Sequence, residues 1–278
     1  MIVSIASGKG GTGKTTVAVN LAALLGDVQF LDCDVEEPNA HIFLKPSIGK
    51  TDLATVLFPY FDKTKCVFCG KCSGACQYNA IAVLPANIAF FEHMCHGCGV
   101  CTYVCPEGAV TEREKEIGRI LSGSAGKINF IGGRMNSGEI LSAMLIKTMK
   151  ELIDPSRTVL IDAPPGTSCQ FVSAVHGSDY CILVSEPTPF GVNDFLLAAE
   201  ALEKLKIPYG LVLNRADIGN DEIRDICARK NIRILMEIPF DMEIARLYSV
   251  GEMFLEKMPQ YKEKFKAMFE IISEITKK

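Results

Sequence analysis

The chain has 278 residues, 48% of them hydrophobic, and a formal net charge of −4. That supplies a sizeable core in one large or two smaller domains. The mild acidity argues against non-specific DNA binding, which needs a basic stripe, so no nucleic-acid partner is expected. No cationic leader with an apolar region opens the sequence, and no run of about 18 apolar residues suggests a membrane span, so a cytoplasmic protein with no membrane partner is expected. Twelve cysteines in that setting point to metal or redox chemistry more than to disulfides.

In chain order, the apolar run Ile2-Val3-Ser4-Ile5-Ala6 predicts a strand, and Val17, Leu21, Leu24 and Leu25 predict a helix. Between them lies Ser7-Gly8-Lys9-Gly10-Gly11-Thr12-Gly13-Lys14-Thr15-Thr16. Strand, glycine-rich turn and helix are the context of a phosphate-binding loop. Glycines let consecutive backbone N–H groups converge on phosphate oxygens, and the helix N-terminus adds partial positive charge. Gly8, Gly10, Gly11, Thr12, Gly13, Lys14, Thr15 and Thr16 are therefore candidate ATP contacts, with Lys14 on the β- and γ-phosphates and the Thr15 hydroxyl on Mg²⁺. Lys9, directly after the first glycine, narrows the motif. The stretch resembles the deviant P-loop of the MinD/ParA family, which includes the nitrogenase iron protein. The resemblance implies that Lys9 reaches across a dimer interface to the partner's nucleotide.

Val28-Gln29-Phe30-Leu31-Asp32 predicts a second buried strand leading to Asp34. A carboxylate at the C-terminal end of a parallel strand sits beside the nucleotide in a doubly wound sheet. The resemblance gives Asp34 the role of positioning attacking water or sensing the γ-phosphate and, more weakly, gives Asp32 a place in the Mg²⁺ shell.

Beyond residue 60 the character changes. Cys66, Cys69, Cys72 and Cys76 form one run, and Cys95, Cys98, Cys101 and Cys105-Pro106 form another. Two such runs are the bacterial ferredoxin pattern, in which the fourth cysteine of each run ligates the other run's cluster. Applied here, one [4Fe-4S] cluster takes Cys66, Cys69, Cys72 and Cys105, and the second takes Cys95, Cys98, Cys101 and Cys76. Structural zinc also uses Cys-x-x-Cys pairs, but it does not call for three cysteines at strict spacing plus a fourth, repeated. Gln77 stands after Cys76 where Pro106 follows Cys105, so the cluster holding Cys76 is expected to be the more exposed. His93 and His96 are expected to be solvated loop residues. Residues 80–84 and 87–91, around Pro85-Ala86, predict a hairpin.

Residues 111–116 are charged and are expected to be a link, followed by a Gly/Ser-rich stretch near Gly123 to Gly126 and a return to the sheet at Asn129-Phe130-Ile131. A helix is expected from Ser137-Gly138 to about Ile153. The buried strand ending in Asp162 predicts a Walker B carboxylate holding Mg²⁺ through water. Asp162-Ala163-Pro164-Pro165-Gly166 resembles the family's switch II, which implies that the Gly166 N–H meets the γ-phosphate. Cys169 is expected to be buried or redox-passive, and no role is given to Cys33, Cys181 or Cys227.

Further strands are expected at residues 180–185, 209–215 and 234–240, with a helix from Val192 to Leu205. The resemblance places Asn214 and the loop at Pro239 against adenine. From Pro259 to Lys278, Phe265, Met268, Phe269, Ile272 and Ile275 share one helical face. Docking on the core is expected, with membrane targeting as the alternative.

The expected fold is a doubly wound, mainly parallel α/β P-loop NTPase, residues 1–60 and 113–278, with a bacterial-type 2[4Fe-4S] ferredoxin domain inserted at 61–112. The resemblance implies a MinD/ParA-type ATPase using ATP, Mg²⁺ and two [4Fe-4S] clusters. It would act as a nucleotide-dependent homodimer, or as a heterodimer with a paralogue. Nucleotide state would be coupled to electron transfer, or to metal or iron–sulfur cofactor assembly on a redox or metallocofactor partner protein. The alternatives are a positioning ATPase with structural clusters and, ranked lower, an amide ligase similar to cobyrinic acid diamide synthase.

Overall fold

A computed structural model describes residues 1–277. The chain begins with β1 (Ile2–Ala6), α1 (Lys14–Leu25), β2 (Gln29–Asp32) and α2 (Ala40–Leu44). A long strand, β3 (Ser47–Phe61), leads to a small outlying unit of α3 (Lys71–Ala75), β4 (Ile81–Leu84), β5 (Asn87–Phe90) and α4 (Val100–Tyr103). The chain returns through β6 (Val110–Ala125) and β7 (Ile128–Met135) to α5 (Ser142–Lys150). Regular alternation follows: β8 (Val159–Asp162), α6 (Cys169–Val175), β9 (Tyr180–Ser185), α7 (Pro189–Leu205), β10 (Tyr209–Asn214), α8 (Glu222–Lys230) and β11 (Ile234–Ile238). Three helices close the described chain: α9 (Met242–Ser249), α10 (Phe254–Lys257) and α11 (Lys262–Thr276).

The main sheet runs β11-β10-β9-β1-β8-β2-β7-β6-β3. Its pairs are parallel from β11 to β7, whereas β6 is antiparallel to both β7 and β3. Strand residues alternate between two cores, as a sheet covered on both faces requires. Ile161, Leu183, Leu211 and Leu213 meet α5 to α8 on one face. Val3, Ile5, Leu160, Ile182 and Val212 meet α1 and the C-terminal helices on the other. Phe265, Met268 and Ile272 of α11 are fully buried there. Each such side chain contributes about 1.5–3 kcal/mol of burial, which gives α11 a core-docking role. Among the described residues, no helix is long and apolar enough to cross a membrane.

Three expectations are corrected. The charged residues 111–116 are not a link. They open β6, whose pairing with β3 runs from Phe61↔Val110 to Ser47↔Ser124. Residues 111–114 are exposed and Lys115 and Glu116 half-buried while Ile117 and Ile120 turn to the core, so tertiary pairing overrides a weak local pattern. The helix expected from Ser137 begins only at Ser142, and the one expected from Val192 begins at Pro189. In the latter, Thr188 Oγ1 accepts a hydrogen bond from the Gly191 N–H and proline takes the first helical position, a start signal readable in Thr188-Pro189.

Candidate functional site

β1 and β8 lie side by side at the centre of the sheet, and their carboxyl ends carry the two loops most concerned with phosphate and metal. The switch of connection direction beside β1 opens a crevice where nucleotides bind in this architecture. A cleft of about 340 Å³ occupies that place. Gly10, Gly11, Gly13, Lys14, Thr15 and Thr16 line its floor. Asp34 lines one side, and Asn214 and Pro239 line the other. Gly13 is left-handed (φ 93°), and no side chain caps α1, so the helix presents free N–H groups to the cleft.

Lys14 is buried. Its Nζ bonds Asp34 Oδ2 at 2.8 Å and stands 3.9 Å from Asp162 Oδ1. Burial alone would lower the lysine's pKa, but the carboxylates of Asp162, Asp34 and Asp32 more than reverse this and raise it. Asp162 is fully buried with neither carboxylate oxygen hydrogen-bonded, and burial raises its pKa. An orphaned carboxylate beside Thr15 is a donor set suited to a hard cation such as Mg²⁺. Asp32 is raised as well, by burial and then by the charge of Asp162. Its oxygens accept hydrogen bonds from the Ala40 N–H (3.0 Å) and the Asp34 N–H (3.3 Å), so they tie down the loop after β2.

Other predicted residues sit around the cleft. Lys9 is half-buried and makes no ion pair among the described residues, and its carbonyl accepts the Ser7 hydroxyl. The Gly166 N–H donates to the Ser7 carbonyl at 3.0 Å, so it is already engaged. Asn214 Nδ2 donates to the Thr12 carbonyl at 2.8 Å and braces the phosphate loop from behind. A Cβ on Gly8 would lie far inside contact with the backbone carbonyl of Asp194 in α7. That glycine is therefore required by helix packing as well as by phosphate approach. Glu37 and Asn39, in the segment after Asp34, and Phe240, in the loop at Pro239, also line the cleft. The sequence reading missed Tyr248, which carries no motif of its own.

The cysteine runs of the outlying unit line two separate cavities. Cys66, Cys69, Cys72 and Cys105 line one, and Cys95, Cys98, Cys101 and Cys76 line the other. Gly70, Gly97 and Gly99 have positive φ and turn the chain tightly between thiols. Backbone N–H groups of Phe68, Ala80 and Gly97 point at the sulfurs of Cys66, Cys76 and Cys95 at 3.3–3.4 Å. Burial raises the thiols of Cys72 and Cys95 and pushes Cys101 up to about 11. Pro106 walls the first cavity. Tyr78 and His96 wall the second, their rings stacked with centroids 3.8 Å apart. Among the described residues, no three His, Cys, Asp or Glu side chains converge on one metal-ion position. Cys33, Cys181 and Cys227 are buried, whereas Cys169, expected to be buried or passive, is exposed at the start of α6.

The model of the CobQ/CobB/MinD/ParA nucleotide binding domain matches residues 3–254. The chain belongs to this family. It is a P-loop ATPase of the MinD/ParA type. An uncharacterized protein of Methanocaldococcus jannaschii is 32% identical, over 92% of each chain. An iron-sulfur cluster carrier protein of Pyrococcus furiosus is 23% identical, over 90% of this chain and 77% of its own length. The septum site-determining protein MinD of Pyrococcus horikoshii, solved with Mg-ADP, superposes with a TM-score of 0.56 at 21% identity, covering 99% of this chain and 95% of its own. The last likeness is one of fold.

Proposed function

We infer that this ATPase holds two [4Fe-4S] clusters in residues 61–112 and couples its nucleotide state to electron transfer, or to metal or iron–sulfur cofactor assembly on a partner protein. The observation that carries the reading is the make-up of the two cavities. Each gathers three thiols of one run and the fourth of the other run. That is the exchange expected of paired cubane clusters. Thiolates three apart on a tight turn reach three corners of a cubane, and the fourth comes from the other run. A single zinc ion needs four sulfurs within about 2.3 Å of one point. N–H groups directed at sulfur favour the thiolate that iron requires. The similarity to an iron-sulfur cluster carrier adds support.

In the cleft, the phosphate-loop amides, Lys14 and Thr16 would hold the phosphates of ATP. Thr15 and Asp162 would hold Mg²⁺, with Asp32 as the weaker candidate, and Asp34 would face the γ-phosphate. Mg²⁺ supplies charge neutralisation on the phosphates when bound. Asn214 and Pro239 border the region open to the base. Lys9 would act across a nucleotide-dependent dimer, formed with a second copy or a paralogue, and Gly166 would exchange its Ser7 partner for the γ-phosphate.

The test is anaerobic purification with iron and zinc analysis and paramagnetic resonance after dithionite. About eight irons and two reducible signals are expected. Cys105→Ser should perturb only the cluster of Cys66, and Cys76→Ser only that of Cys95. Stoichiometric zinc with no reducible signal sinks the reading.

A further inference from the structure

We propose that Lys115 is a positioning strut that carries the nucleotide state of the cleft to the turn bearing Cys95. The proposal rests on the reading of the second cavity as a cluster site. It begins at an ammonium that two partners compete for. Lys14 Nζ spends one of its three N–H donors on Asp34, and a nucleotide's phosphates draw on the same charge, so nucleotide binding weakens the hold on Asp34.

The residue after Asp34 is tied to the next strand. The Met135 N–H at the end of β7 donates to the Val35 carbonyl at 2.9 Å. Val35 Cγ1 also crowds Gly133 so closely that β7 has no room for a Cβ there. A shift at Val35 is therefore felt by the end of β7. The following residue, Asn136, donates its N–H to the Ile117 carbonyl of β6 at 2.9 Å. Asn136 also opens the turn that holds Glu139, through the Glu139 N–H.

Lys115 joins that turn to the outlying unit. Its Nζ lies 2.7 Å from Glu139 Oε1 and 2.6 Å from Glu92 Oε1. Glu92 starts the single helical turn Glu92–Met94, and its carbonyl accepts the Cys95 N–H at 3.0 Å. The lysine passes over the Phe58 ring, 4.9 Å from its centroid, and Phe58 packs edge-on against Phe90 just before that turn. Burial works against the Lys115 charge, but the two carboxylates more than offset it and raise its pKa. A partly exposed ion pair contributes little stability by itself. The role assigned here is geometric, because one ammonium fixes the distance between two elements that share no backbone bond. Among the described residues no ion pair joins the first cavity's loop to the Glu139 turn, so that loop should not respond.

The physical warrant for coupling is a two-state element that both ends bias, so the test must compare nucleotide states. The measurement is amide hydrogen exchange on the anaerobically purified protein with Mg-ADP and with Mg²⁺ and a non-hydrolysable ATP analogue. Wild type should show a nucleotide-dependent change at residues 92–98 and none at 66–72. Lys115→Met keeps the stem over Phe58 and should shrink that change by on the order of threefold or more. Glu139→Gln, which leaves the arm to Glu92 intact, should do the same, and Lys115→Arg should restore it. An unchanged response at 92–98 in both Lys115→Met and Glu139→Gln overturns the proposal, as does a wild type with no response there. The first result would leave the close approach of the Gly97 backbone to Leu57 as the route, and the second would leave none. The exchange readout needs no iron, so the metal analysis of the same sample judges the cluster reading separately.

Discussion

Lys14 Nζ and Asp34 Oδ2 lie 2.8 Å apart, so the lysine of the phosphate loop is held by the carboxylate of the neighbouring loop. The pair keeps three buried carboxylates, Asp32, Asp34 and Asp162, from standing without a cation. It also means that phosphate must compete with a carboxylate for the Lys14 ammonium. Lys14→Ala should therefore cost about 3 kcal/mol of folding stability, since removing one partner strands the other. Nucleotide affinity should fall by about 10- to 100-fold with the loss of a charge-assisted bond. Denaturant titration and calorimetry read the two effects. Adding Asp34→Ala should recover part of the stability and none of the affinity. Wild-type affinity in Lys14→Ala would remove this lysine from the phosphate site.

Gly8 and Gly10 belong to one motif but answer to different neighbours. A Cβ at Gly8 meets the backbone of Asp194, whereas one at Gly10 meets nothing within 4 Å. Gly8→Ala should destabilise the fold by about 1–3 kcal/mol as α7 is pushed away. Gly10→Ala should stay within about 0.5 kcal/mol of wild type, yet lose nucleotide affinity because the methyl enters the phosphate path. Equal melting temperatures for the two variants would refute the packing role of Gly8.

Asp162 sets a pH dependence whose sign can be worked out. Burial raises its pKa and that of Asp32 above the ordinary value of 3.8, so the folded chain binds these protons more tightly than the unfolded chain. Stability without nucleotide should then fall as pH rises from about 4 through the folded values, and this loss should persist above them. Asp162→Asn removes its share of the loss. The melting-temperature difference, variant minus wild type, should grow between about pH 4 and about pH 8. In the same variant, added Mg²⁺ should no longer strengthen nucleotide binding. A pH-independent difference would mean that Asp162 keeps an ordinary carboxyl.

Lys9 is half-buried beside the cleft and unpaired among the described residues. Lys9→Ala should leave nucleotide binding within about twofold of wild type in the monomer. It should abolish any ATP-dependent dimer, read by sedimentation with ADP and with a non-hydrolysable ATP analogue. A dimer of undiminished stability in the variant would remove the cross-interface role.

The sequence by itself determined the chemistry-bearing pieces. The motif from Gly8 to Thr16 sits between the expected strand and helix, β2, β8, β9 and β10 fall where apolar runs end in polar residues, and β11 falls within the run expected at 234–240. The β4–β5 hairpin closes around Pro85-Ala86 as read, and the eight spaced cysteines sort into two cavities. These features are legible because each is local: a turn, a strand run or a thiol spacing is set by residues a few positions apart.

Tertiary structure alone decided the rest. Residues 47–61 and 110–125 have no decisive period, and they become strands because each satisfies the other's backbone across some fifty intervening residues. Packing of α7 imposes a second reason for Gly8 to lack a side chain, and Asn214 turns to the Thr12 carbonyl because β10 ends behind the phosphate loop. Tyr78 stacks on His96 at the wall of the second cavity, from opposite sides of the β4–β5 hairpin in sequence. Lys115 meets Glu92 and Glu139 only after β6 is paired and the cysteine unit folds back upon it. Such contacts join residues distant in sequence and depend on where whole elements come to rest, which no local pattern encodes.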